Sequence, residues 1–193
     1  MLFYIIYSMD PLSKQRKKKV KRSTMEKQTA LSIQNQKKYR SLVTQRAFRQ
    51  GEVIYAIPNE LIHNKPTMYT VQTGRTQHVE VGKLSVLNHS CDPNVILDTT
   101  RMLVFAARDI PAAEELTFFY PSTEWEMAAP FICLCGAPNC IHVVAGARFL
   151  PLSVLEDHFL NRHIRELMIE LLNNTELHLA RLERQRVATD LKD

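Results

Sequence analysis

The chain has 193 residues, of which 45% are hydrophobic and 23% charged, the proportions of one globular domain able to bury a core. That excludes a wholly disordered or fibrous chain. Its +5 formal charge is uneven: residues 1–50 hold 13 Lys and Arg against 2 Asp and Glu, while residues 51–193 hold 12 against 18. No apolar run approaches the roughly 20 residues of a transmembrane helix. Leu2–Tyr7 precedes rather than follows the basic residues, unlike a signal peptide. A soluble chain of the nucleus or cytoplasm is therefore expected, with no membrane partner.

In chain order, residues 1–28 read as an arm. Lys14 to Arg22 carries seven basic residues in nine. This run suits a nuclear-import or nucleic-acid-binding patch, and equally a solvated tail. From residue 29 short β-type runs follow at Ala30–Ile33, Ser41–Thr44, Glu52–Ile57, Gln77–Val81, Val95–Asp98, Met102–Ala107 and Glu115–Tyr120. Turn residues such as Gln50-Gly51 and Asp92-Pro93-Asn94 separate them. Thr67–Gly74 reads as a loop able to recognise a ligand. After Pro151, Ser153 and Glu156 have capping-box spacing, and apolar residues from Leu155 to Leu172 recur at helical steps. Asn173-Asn174 is expected to end that helix and Thr175 to cap a second. These helices could bind a partner or pack on their own domain. The predicted architecture is a β-rich core of small sheets over 29–132, a cysteine loop over 133–148 and a helical extension over 149–193.

Cys133, Cys135 and Cys140 lie within eight residues, and Cys91 is the only other cysteine. In a reducing compartment such crowding favours a metal over disulfides. Zinc takes four tetrahedral ligands and accepts thiolates readily. Cys91 or His142 could complete the set, or the thiols could be free.

Asn88-His-Ser-Cys-Asp-Pro-Asn94, Glu114-Glu-Leu-Thr-Phe-Phe-Tyr120 and the Cys133–Cys140 loop together resemble the SET-domain protein lysine methyltransferases and their post-SET zinc loop. Gln50-Gly-Glu-Val-Ile54 is similar to the family's N-terminal strand entry. The resemblance covers about residues 29–148. It implies a SET-domain fold with a knot-like core and a structural zinc on Cys91, Cys133, Cys135 and Cys140. It also implies an S-adenosylmethionine site with contributions from Ser41, Asn88, His89 and Leu134. Tyr120 matches the family's catalytic tyrosine and would orient the acceptor amine. Phe118, Phe119 and Trp125 would line the channel for a lysine of a protein substrate, possibly a histone, unless they are core residues.

Three glycines expected from the family are absent. Tyr39-Arg40-Ser41 stands in place of Gly-x-Gly, Ala113 precedes Glu114, and His142 follows the last cysteine. Those glycines serve positions of restricted backbone. Their loss motivates two further readings: a small-molecule enzyme of isomerase or cyclase type that dispenses with the methyl donor, and a non-catalytic binding module.

Overall fold

A computed structural model describes residues 30–35, 39–58 and 61–190, with side chains as far as residue 183. The basic run lies outside these described residues. The strands are short: β1 (Leu31–Asn35), β2 (Arg40–Thr44), β3 (Val53–Ala56), β4 (Ile62–His63), β5 (Thr70–Gln72) and β6 (His78–Glu80). Then follow β7 (Asn88–His89), β8 (Val95–Asp98), β9 (Leu103–Ala106), β10 (Thr117–Phe118), β11 (Phe131–Ile132) and β12 (Val143–Val144). Two helices close the described chain, α1 (Leu152–Glu156) and α2 (Arg162–Asp190). None is long and apolar enough to cross a membrane.

The strands form small sheets: β1-β2, β3-β9-β8, β4-β6-β5, β10-β7 and β11-β12. The expected β-rich core is thus present, and Val95–Asp98 has its predicted bounds. Glu115–Tyr120 shrinks to the two residues of β10. The strands β4, β5, β7, β11 and β12 are too short to show an alternating pattern, and tertiary pairing defines them. Leu42, Ile54, Val104 and Leu116 are fully buried where these sheets meet, each worth about 1.5–3 kcal/mol of transfer from water. A second cluster of Phe119, Ala147, Leu155, Leu160 and Ile164 seats the helices on the body.

The parallel pair β7-β10 joins the two motif segments, with Asn88 opposite Thr117 and His89 opposite Phe118. Asn94 laces them further. Its amide nitrogen donates to Glu114 Oε1 and the Glu115 carbonyl, both at 2.7 Å, and its oxygen accepts the Thr117 N–H at 2.8 Å. Residues 29 positions apart are thereby held side by side.

The helical extension departs from expectation twice. Pro151, not Ser153, is the N-cap of α1, and no side chain caps it. The apolar periodicity that runs through residues 157–161 is interrupted there because Asn161 is drawn into the core. Its side chain accepts from the Thr99 N–H and hydroxyl and donates to the Leu97 and Ser122 carbonyls. Asn173-Asn174 ends nothing: α2 runs through it, and the Thr175 hydroxyl donates back to the Leu171 carbonyl at 2.8 Å.

Candidate active site and metal centre

The four cysteines converge. Their sulfurs all lie within 4.8 Å of one another, with Cys91 and Cys133 buried, and the Sγ atoms of those two are 3.9 Å apart. Four ligands at about 2.3 Å around a tetrahedral zinc stand about 3.8 Å from each other, so the donor set and its spacing fit. The hairpin β11-β12 brings the ends of the loop together, and the Cys133 N–H donates to the His142 carbonyl at 2.7 Å. His142 itself is outside the cluster, so Cys91 is the fourth member. Burial pushes the Cys91 thiol upward, and the Cys133 thiol to about 11; a bound cation would be needed to hold them as thiolates.

His89 links this cluster to the second motif segment. Its Nδ1 accepts the Tyr120 N–H at 3.2 Å, which leaves the proton on Nε2, 3.2 Å from Cys91 Sγ. Burial, then the neighbouring His158, lowers its pKa to about 4, so the ring is neutral at pH 7.

Beside this link lies an open cavity of about 410 Å³. Asn88, Phe118 and Tyr120 line it, together with Tyr39, Arg40, Thr67–Val71, Leu84–Leu87, Glu124, Met127 and Phe131. The Asn88 amide nitrogen donates to the Arg40 carbonyl at 2.9 Å and to Glu115 Oε1 at 2.7 Å. The Tyr120 hydroxyl donates to the Leu87 carbonyl at 2.8 Å. Burial, reinforced by the Glu124 charge, raises the phenol to about 12. It therefore stays protonated and can orient a ligand but cannot serve as a base at neutral pH.

Other expected site residues lie elsewhere. Phe119 stacks on His158 with ring centroids 3.7 Å apart and belongs, with Trp125, to the cluster beneath the helices. Leu134 is 89% exposed and is not among the residues lining the cavity; Phe131 is the aromatic residue that reaches it from this loop. Ser41 is buried in β2 with its hydroxyl unpartnered, while Tyr39 and Arg40 reach the cavity wall.

The missing glycines separate into two kinds. Ala113 (φ 66°) and His142 (φ 60°) adopt the left-handed conformation in which glycine is favoured. Tyr39, Arg40 and Ser41 do not, and β2 begins among them. Sequence reasoning missed Glu124 and Phe131. Phe131 sits two residues before Cys133 and could have been found from that position. Glu124 carries no motif signal.

The SET-domain family profile matches residues 39–121. The chain is 40% identical over 132 residues to the Aspergillus flavus protein "Methyltransferase flvH", covering 67% of this chain and 72% of that one. It is 38% identical over 86 residues to an H3 lysine-36-specific histone-lysine N-methyltransferase of Mycosarcoma maydis, covering 42% of this chain but only 9% of that protein. Among solved structures it is similar to KRYPTONITE in complex with mCHG DNA and SAH, with a TM-score of 0.49 and 21% identity over 58% of this chain and 28% of that one. With the two motif segments paired at one cavity and a relative of that identity spanning most of both proteins, this chain belongs to the SET-domain family of methyltransferases.

Proposed function

We propose that the protein transfers a methyl group from S-adenosylmethionine to an amine, with a lysine side chain of a protein, a histone among the candidates, as acceptor. The observation that carries this reading is that Asn88 and Tyr120, one from each motif segment, line the same cavity. The volume of that cavity is within the range of about 300–1,000 Å³ found for small-ligand sites. Its mix of carboxamide, carbonyl and aromatic groups fits the donor. When bound, S-adenosylmethionine supplies a methyl group activated on a sulfonium.

Asn88 and Arg40 would hold the donor. Phe131, in the strand before Cys133, would cover it from the zinc loop in the place first expected of Leu134. We assign zinc to the four thiols, where it would order this loop. Methyl transfer needs a neutral amine aligned on the methyl carbon. The Tyr120 hydroxyl and the Leu87 carbonyl to which it donates present a polar edge inside an apolar wall of Val71, Leu84 and Phe118. There they can orient the amine and stabilise the charge that spreads onto it. The histone-lysine relatives support a protein acceptor.

The test is methyl transfer from labelled S-adenosylmethionine to core histones and lysine peptides by the zinc-replete protein. Tyr120→Phe is expected to lower the rate roughly 100-fold, as loss of one oriented donor does, with the protein still folded and its Tm lowered by no more than about 5 °C through loss of the bond to the Leu87 carbonyl. Full activity in that variant would overturn the role given to Tyr120.

A further inference from the structure

Glu124 is the only carboxylate among the described residues lining the cavity. It is buried, at 7% exposure, on a body that otherwise keeps its acidic groups paired or near solvent. Two hydrogen bonds reach it, from the Gln72 N–H at 2.9 Å and from the Thr123 hydroxyl at 3.2 Å, and both fall on Oε1. Oε2 is the oxygen left for the cavity. A buried carboxylate is costly unless a cation accompanies it, and among the described residues no cationic side chain is hydrogen-bonded or ion-paired to this one. A glutamine would satisfy the Gln72 N–H equally well, so the backbone contact does not explain the charge. A cation that arrives with a ligand would supply the counter-charge when this carboxyl is ionised.

We propose that Glu124 receives the acceptor as an ammonium ion and takes its proton, which deepens the N-methyltransferase reading and rests on it. One N–H bond of the ammonium breaks, its electron pair stays on nitrogen, and the proton passes to Oε2. The products are a neutral amine, the nucleophile that methyl transfer requires, and a carboxylic acid that later returns the proton to water. The acceptor class is thus an alkyl ammonium rather than a phenol, alcohol or carboxylate.

Burial raises the Glu124 carboxyl to about 7, close to the operating pH at which a general base is most effective. Entry into the same apolar cavity lowers the amine's affinity for its proton. The groups facing Glu124 leave it as the ionisable one. Tyr120 is held protonated. His163, which meets the Thr123 carbonyl through Nε2, and His78, opposite Gln72 in the sheet, both have pKa values lowered mainly by burial. Arg40 is exposed at the cavity wall.

The test uses the full, zinc-replete chain and n-butylamine, which carries the tip of a lysine side chain and nothing else. Calorimetric titration at pH 8 is expected to show binding to the wild type and at least tenfold weaker binding to Glu124→Gln. Equal affinities, or no binding to the wild type, would overturn the proposal. A lysine peptide run beside it identifies the source of the ammonium: binding of both assigns a protein side chain, and binding of butylamine alone assigns a small-molecule amine. In methyl-transfer assays the wild-type kcat/KM, which reports the free enzyme, is expected to rise with pH through about 7, and that of Glu124→Gln to rise only at least one pH unit higher. Identical profiles refute the base. Absence of methyl transfer to any acceptor would remove the N-methyltransferase reading, while the butylamine comparison would still judge Glu124. Should Glu124→Gln fail to fold, carbon NMR of the wild-type carboxyl groups decides. One titrating near 7 should fall by at least one pH unit with saturating butylamine, and an unmoved titration overturns the proposal.

Discussion

At the scale of single residues, the scarcity of glycine has a measurable cost. Ala113 holds φ 66° at an exposed position, where a Cβ is disfavoured by about 1–2 kcal/mol. Ala113→Gly removes that strain and loses no buried contact. It is expected to stabilise the protein by about 1 kcal/mol, a gain of roughly 2–4 °C in Tm for a chain of this size, read in a thermal melt. Glu124 has the opposite character. Its folded pKa of about 7 stands above the ordinary value of 4.5, so between those pH values the folded state holds a proton that the unfolded chain has lost. The stability tied to that proton is complete below about pH 4.5 and is lost as pH rises through 7, a swing on the order of 3 kcal/mol. Urea denaturation at pH 5 and pH 8 should show the swing in the wild type and a flatter response in Glu124→Gln; equal slopes would refute it. Asn88 and Tyr120 were legible through the family resemblance of the segments they sit in, and the three clustered cysteines through their spacing. Glu124 was not, because its significance comes from burial without a counter-charge, which only tertiary structure creates.

At the scale of elements, the cysteine loop and the helices teach different lessons. The loop's strands β11 and β12 have two residues each, far too little pairing to order the ten residues between them. A zinc on the four thiols would supply that order, so that its binding would be folding for this segment. Chelation of zinc, or Cys133→Ser, is expected to lower Tm and to abolish cofactor binding through loss of Phe131 from the cavity wall. Elemental analysis should give one zinc per chain before chelation. A metal-free sample with unchanged Tm would contradict the assignment. The helices were partly misread for a physical reason. An asparagine inside a helix costs only about 0.7 kcal/mol, so Asn173-Asn174 is a weak stop when Leu171, Leu172 and Glu176 flank it. The true break at residues 157–161 has no such marker. It exists because Asn161 satisfies four polar groups of Thr99, Leu97 and Ser122, a demand of the core and not of local sequence.

At the scale of the whole molecule, stability is concentrated in the body. The first turns of α2 belong to it: Ile164 is fully buried and His163 donates its partner contact to the Thr123 carbonyl. Beyond Ile169 the helix presents its apolar residues to solvent, with Leu177 70%, Leu179 54% and Leu182 48% exposed. Side chains that remain in water contribute little transfer free energy, and a helical segment of about 15 residues is marginal by itself. The distal half of α2 thus adds length without adding much stability. A chain truncated after Asn174 is expected to keep its Tm within about 2 °C and to keep methyl transfer, whereas truncation before Leu160 should unfold the domain by stripping Ile164 and Leu160 from the second cluster. The comparison is a thermal melt of the three chains side by side. A drop of more than about 5 °C for the shorter cut would mean that the exposed leucines are covered in solution, and that the projecting helix is part of the folded core of an assembly, not a spur on a monomeric body.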